Sequence, residues 1–578
     1  MSHRASIAPH DCVGSNLNVL TRGNQVMRVD PRENEALNEV WLSDRDRFSY
    51  EALNSDERMQ RPMIRQLGKW RETDWNTALE YTVSSLQQLI KDQGADQLGA
   101  LASPGSTLEE QALLARLMRA LGSNNIDHRL RQQDFSGQQY DALYPWLGQS
   151  VAEMEEQDAI LLIGSNIQKD QPIIGHRIRK ANLKGAVVMA VNAIDYGFNF
   201  SVRYQCVVAP ALMVSELAAI AVAAQQQQGD NTAVSTELQA LLNGMTVSDK
   251  HRAIAGQLIA AEKSTVLLGS QALMHPSYAQ LQALATLIAT TCATRLSILS
   301  QGANSAGACL AGCLPHRGVA GSAVTPAGLD ARAMLEASLK AYVLLNVEAE
   351  SDCSDPLTAS NALMDAQFVV SLSAFRSKAI EKYADVILPV TPFTETSGTF
   401  VNVAGQWQSF PAVVAPQGEA RPAWKVLRVL GNLFDIDGFE YVSSDEIRAE
   451  LEQACAGVGV DNSRAVNMTA PAAPVAGLVR IADVPIYAVD ALTRRARALQ
   501  LTADAAPLAV VINSLEAGRL SLTAGAEVNV QQQGEQQRLA VMIDERVPDG
   551  CVMIAAGVNG SAGLGRYGTA VQITACNS

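Results

Sequence analysis

The run Ala384-Asp385-Val386-Ile387-Leu388-Pro389, continued by Glu395-Thr396-Ser397-Gly398-Thr399-Phe400-Val401-Asn402 and Gly405-Gln406-Trp407-Gln408, is where the chain declares its fold class. Val386, Ile387 and Leu388 form an uninterrupted apolar run, stopped by Pro389, which reads as a strand buried on both faces. The loop beyond it passes through Ser397-Gly398, small residues that make a tight turn readily. The same pattern recurs upstream. Apolar runs at 158–163, 186–191, 264–268, 296–299, 341–345 and 368–372 end in Gly, Asn or Ser, and helical periodicity intervenes. Such strands, alternating with helices, mark parallel sheets covered on both faces, so the class is α/β.

Toward the C-terminus the pattern changes. Short runs at 509–512, 522–530, 538–543 and 552–554, with a Pro548-Asp549-Gly550 turn, suit a small closed barrel. Between the two regions, Ala470-Pro471-Ala472-Ala473-Pro474 breaks all periodicity. The chain therefore divides into a small β-rich segment at 1–55, two interleaved α/β lobes over 56–460, a linker at 461–500 and a barrel at 501–578. A length of 578 residues requires several cores. Gln225 to Gln228, with Gly229, read as an exposed loop.

A net charge of −14 argues against a nucleic-acid partner, which would want a basic face. No segment reaches the about 20 apolar residues needed to span a bilayer, so direct membrane insertion is not expected. Nine cysteines are too sparse for a disulfide scaffold. Cys309, Cys313 and His316 have metal-like spacing, but they stand in a run of small residues where cysteine packs as a small hydrophobe. No metal site is expected there. Strand-to-helix turns offer backbone N–H groups to an anion. Neither a G-x-G-x-x-G nor a P-loop sequence follows any strand, so tight α/β connection is the simpler reason for their small residues. Seven histidines assemble no catalytic set.

The N-terminal text Ser6-Ile7-Ala8-Pro9-His10-Asp11-Cys12-Val13-Gly14-Ser15-Asn16, the β-like stretch 25–29 and Glu39-Val40-Trp41-Leu42-Ser43-Asp44-Arg45 resemble the start of the iron–sulfur domain of the large iron–sulfur (G-type) component of respiratory complex I, NADH:quinone oxidoreductase. The 384–408 motif resembles a signature shared by these components and molybdopterin-dependent oxidoreductases, and the barrel resembles their double-psi domain. The resemblance implies a molybdopterin-oxidoreductase-like multidomain fold with parallel α/β lobes and a C-terminal double-psi-type β-barrel. Relatives that hold a 4Fe–4S cluster use C-x2-C-x3-C and a distant fourth cysteine. Those positions fall here on Ala8, Asp11, Ser15 and Ser43, none of them a thiol.

The resemblance thus implies that this chain binds no cofactor and has no catalytic residues. Iron–sulfur clusters are expected in an N-terminal ferredoxin-like region missing from this chain and in partner subunits. The implied role is a non-catalytic scaffold in the peripheral arm of complex I, among its other subunits, on the cytoplasmic side of a bacterial plasma membrane. A chain cut from a longer one is the expectation. The alternatives are an active molybdenum/tungsten-pterin oxidoreductase of the formate dehydrogenase type, which the absent cluster thiols oppose, and a nucleotide-binding protein. Arg28, Arg32, Glu33, Asp44, Arg45, Asp46 and Arg47 are expected as surface ion pairs worth about 1 kcal/mol or less each.

Overall fold

A computed structural model describes residues 2–229, 234–462, 477–481, 483–505 and 507–576. The chain forms two units, each assembled from three stretches: Met1–Leu130, Gln301–Gly459 and Tyr487–Ala505 in the first, and Arg131–Ser300, Val460–Ile486 and Ala506–Ser578 in the second.

The first unit is built on a seven-stranded sheet. Its order is Lys69–Glu72, Met63–Gln66, Val386–Pro389, Phe368–Ser373, Ala341–Leu345, Leu98–Ala102, Ile126–Asp127. The last five run parallel, and the first two form an antiparallel flap at one edge. Chain order reverses between Leu98–Ala102 and Ala341–Leu345, which makes the carboxyl ends of these two strands a topological switch point, the usual place for a ligand crevice. Gly99, near the start of Leu98–Ala102, lies under the side-chain ends of Leu339 and Met334. A Cβ on it would stand 2.9 Å from Leu339 Cδ1 and 3.0 Å from Met334 Sδ.

A three-stranded antiparallel sheet, Ser2–Ile7, Asn16–Arg22 and Gln25–Pro31, opens the same unit. Its Leu17, Val19, Val26 and Val29 pack with Phe393, Phe400 and Phe410 in one core. The 384–408 motif supplies a strand of the large sheet and then the hairpin Gly398–Val401 with Trp407–Phe410. The polar residues of the motif anchor the N-terminal loop. Asn402 donates to the carbonyl of Val13 (3.0 Å) and Gln408 to that of Gly14 (2.9 Å). Gly14 has φ +74°, and a Cβ there would fall 1.9 Å from Gln408 Oε1. The sequence signature is, physically, a clamp on residues 13–14.

The second unit contains a fully parallel five-stranded sheet in the order Val202–Val207, Val187–Asn192, Ala159–Ile163, Ser264–Leu268, Arg295–Ile298. It also carries a closed six-stranded barrel: Leu478–Ile481, Cys551–Met553, Val510–Ile512, Glu535–Ile543, Glu527–Gln532, Ala570–Ala575. Val510, Ile512, Val528, Val530, Val541 and Val552 fill it. Its first strand comes from within the stretch whose composition reads as linker, because Leu478, Val479 and Ile481 are too few to register as a run beside the Ala/Pro text. Residues 470–474 lie outside the described residues. Gln225 to Gln228 are not a loop but the end of the helix Pro210–Gln228, since glutamine is a good helix former and Gly229 supplies the left-handed cap (φ +63°). Among the described residues no helix is long and apolar enough to cross a membrane.

Candidate functional site

The four positions read as vacated cluster ligands lie in one buried patch of the first unit. Ala8 is fully buried, and its N–H donates to the carbonyl of Ser15, itself buried (2.9 Å). Asp11 accepts from Val13 N–H (2.9 Å) and from Arg45 Nη2 (2.7 Å), with both side chains of the ion pair nearly inaccessible. Ser43 caps the helix Asp44–Phe48, accepting from Asp46 N–H, and its hydroxyl donates to the Asp46 carboxylate (2.7 Å). Burial and the nearby Asp11 charge push the Asp46 carboxyl up. Cys12 is buried beside this patch, its carbonyl accepting from Val403 N–H.

His10 completes the patch. Its Nδ1 is hydrogen-bonded to the Asp490 carboxylate (2.6 Å) and its Nε2 to Ser49 Oγ (2.7 Å). Burial opposes its charge, but the Asp490 carboxylate overcomes that and raises the imidazole pKa. Asp490 in turn is held below the usual carboxylate range, the charge and hydrogen bond of His10 prevailing over burial. Of the charges expected on the surface, Arg45 and Asp46 are instead 1% exposed. They lie at the inward face of a one-and-a-half-turn helix, too short to show periodicity. Arg28 and Arg47 do pair at the surface, both with Asp30.

Asp490 belongs to the segment Tyr487–Ala505, which closes the first unit. Arg494 donates to Glu348 (2.8 and 3.0 Å) and to Asp352 (3.0 Å), while Arg495 reaches Glu348 and Glu57. Arg495 also lies 4.5 Å from the Phe375 ring, which Arg58 approaches at 5.6 Å. This segment walls a cavity of about 100 Å³ at the switch point, lined also by Ser103, Asn346, Thr391 and Phe393. The helix Leu108–Ala120 starts at its edge, where Thr107 and Glu110 form a reciprocal cap: Glu110 N–H donates to Thr107 Oγ1 and Thr107 N–H to the Glu110 carboxyl. Glu109 receives Thr399 N–H and Oγ1. Burial pushes both Glu109 and Glu110 to about 7.

Cys309 and Cys313 are buried, with His128 Nδ1 at 3.0 Å from the Cys313 carbonyl and Nε2 at 4.0 Å from Cys309 Sγ. Burial lowers His128 to about 4, leaving it neutral. Among the described residues no three His, Cys, Asp or Glu are placed to hold a metal ion. In the second unit, the turn at Gly164-Ser165-Asn166 spends its Ser165 N–H on Asn192 Oδ1 (2.8 Å).

A family model for molybdopterin oxidoreductase matches residues 58–433. A second, for the NADH-ubiquinone oxidoreductase NDSU1/NuoG-like 4Fe-4S domain, matches residues 2–51. The G-type component of the NADH-quinone oxidoreductase of Rickettsia felis is 27% identical over 78% of this chain and 59% of its own length. The mitochondrial NADH-ubiquinone oxidoreductase 78 kDa subunit of Candida albicans is 28% identical over 73% of this chain and 51% of its own. The chain thus spans between about half and three fifths of these relatives. Acetylene hydratase from Pelobacter acetylenicus shares the fold, with TM-score 0.71 and 13% identity over 99% of this chain and 100% of that one. The expectation that the family's N-terminal ferredoxin-like region is missing from this chain is corrected by the second match. A domain of the 4Fe–4S type occupies residues 2–51.

The vacated positions do not fit a cubane cluster, and the switch-point cavity of the first unit does not fit a pterin. A cubane cluster wants four thiolates, and positions 8, 11, 15 and 43 offer Ala, Asp, Ser and Ser, with Asp11 and Ser43 engaged elsewhere. A pterin with its phosphate needs several hundred Å³, whereas the switch-point cavity of the first unit holds about 100 Å³ and its adjoining helix end carries the Thr107–Glu110 cap. The fold nonetheless carries the match from strand to strand: the chain belongs to the molybdopterin oxidoreductase family.

Proposed function

We propose that this chain is a non-catalytic scaffold within the peripheral arm of NADH:quinone oxidoreductase (complex I), acting by assembly with the other peripheral-arm subunits at the cytoplasmic side of a bacterial plasma membrane. It supports electron transfer from NADH to quinone without holding a redox centre of its own. The single observation that carries this reading is the fate of the ligand positions in a domain of the 4Fe–4S type. Asp11 and Ser43 are built into a buried network with Arg45 and Asp46, which supports the reading that protein interactions stand where relatives place a cluster. The relatives named as NADH-quinone oxidoreductase subunits support the assignment of the complex. Val40 and Trp41, each 54% accessible on the same domain, give a neighbouring subunit an apolar surface to cover. The same relatives weigh against an active pterin enzyme of the formate dehydrogenase type.

The test is isolation of the chain from its native membrane by an affinity tag, followed by identification of the co-purifying subunits and elemental analysis of the chain freed from them. Complex I subunits should co-purify, with no iron, molybdenum or tungsten remaining on the separated chain. Recovery of the chain alone would remove the assembly reading. Four irons, or one molybdenum with released pterin, per chain would remove the scaffold reading.

A further inference from the structure

The antiparallel flap of the first unit, Met63–Gln66 with Lys69–Glu72, closes on a two-residue loop, because Gln66 pairs with Lys69. Leu67 and Gly68 in that loop lie at φ +50° and +75°. This is the type I′ geometry, in which both central residues take positive φ and Asn-Gly, Asp-Gly or Gly-Gly is preferred. Gly68 suits it. Leu67 does not, since a bulky side chain at positive φ crowds the following carbonyl. Leu67 is also 98% exposed, against 76% for Leu501, the next of the large apolar side chains. A lone exposed leucine is ordinary, but one on a turn that selects against it is not. Backbone and solvent both disfavour leucine here, which points to a use outside the chain.

The tip is anchored from behind. Arg65 donates to Asp385 (2.8 Å) and to the Lys382 carbonyl (2.8 Å), and Trp70 Nε1 donates to the Glu381 carbonyl (3.0 Å). A side chain presented on a fixed turn loses little freedom on docking. Two cations stand beside it. Lys69 and Arg71 are alternate residues of the outer strand, both exposed, and among the described residues neither has a carboxylate partner. Lys69–Glu72 is the edge of the seven-stranded sheet, and charges on an edge guard it against pairing with other strands. An apolar tip does the reverse, so edge protection does not account for Leu67.

We propose that the Leu67 tip docks into an apolar pocket, bordered by carboxylates, on another subunit of the peripheral arm. The leucine side chain fills the pocket, and Lys69 and Arg71 face its acidic rim. Opposite charges at a rim set the approach and register, while the apolar knob supplies the binding. This inference rests on the scaffold role proposed above and gives that role a point of contact. A nucleic acid is disfavoured by the net charge of −14, and one leucine is too little to hold a bilayer surface.

The test isolates the complex through a tag on the full chain and follows the loss of partner subunits during washing. Leu67→Asn keeps the turn, since asparagine is preferred there, and should slow amide exchange across the flap severalfold. The same variant should speed partner loss about tenfold, the factor for withdrawing one leucine from an apolar pocket. Lys69→Gln with Arg71→Gln should speed it severalfold at low salt and leave it unchanged at high salt. Partner loss from Leu67→Asn at the wild-type rate overturns this proposal alone. A wild-type chain that holds no partners overturns the scaffold reading and this proposal with it. A purified wild-type chain that dimerises, beside a monomeric Leu67→Asn chain, gives the tip to a second copy and overturns the proposal too. A double variant with no effect at low salt overturns the acidic rim.

Discussion

Removing the Asp11 carboxylate should open the N-terminal sheet selectively. Arg45 and Asp11 are 2% and 3% accessible at the side chain, with their charged atoms 2.7 Å apart. Truncating one partner of such a pair leaves a buried, uncompensated charge, which costs about 3–5 kcal/mol. Asp46 stays close enough to interact with Arg45, so the lower figure applies, about 3 kcal/mol. Because the chain has two units and need not unfold in one step, the local opening of this sheet is the quantity to measure, by amide hydrogen exchange at Leu17, Val19 and Val29. Asp11→Ala should speed exchange there by about two decades. The double variant Asp11→Ala with Arg45→Met removes both charges and should recover most of that factor, since an apolar replacement of a buried pair is often neutral. Two results refute the reasoning. Exchange within threefold of wild type in the single variant means the pair does not hold the sheet. A double variant as loose as the single means that the unpaired charge is not the cause.

Three further outcomes follow from the buried titrating groups. His10 has a raised pKa, so the stability it contributes is present below its ordinary 6.5 and is lost as pH rises through the folded value; His10→Gln should abolish that alkaline loss, read from the pH dependence of local exchange. Glu110 is raised to about 7, so wild-type stability should fall between about pH 4.5 and 7, by an amount of order 3 kcal/mol, and Glu110→Gln should flatten this slope in urea unfolding curves. Cys455 and Cys576 are half-buried whereas Cys309 and Cys313 are buried, so a thiol reagent should label the first pair on the native chain and the second only on unfolding, as read by peptide mass mapping.

Seven strands of the two sheets were legible because their cores are continuous apolar runs. Leu98-Gly99-Ala100-Leu101-Ala102 was not: Gly and Ala carry little strand preference, and it is a strand through its pairing with Ala341–Leu345 and Ile126–Asp127. That missed strand is the one that creates the switch point and its cavity. The vacated positions Ala8, Asp11, Ser15 and Ser43 were found by the spacing of a motif. What replaced the cluster was hidden, since His10 meets Asp490 across 480 residues and Arg45 and Asp46 look like surface charges until the short helix is seen to face inward. Long-range pairing of polar residues leaves no periodic trace.

The segment Tyr487–Ala505 is made late. A ribosome has to pass through the stretch Val460–Ile486, destined for the second unit, before it reaches the residues that neutralise Glu348, Asp352 and His10 in the first. A stop codon within residues 460–486 therefore removes more than the barrel: it releases a first unit with its acids and imidazole exposed, a species recognisable to quality-control proteases although most of its residues are in place.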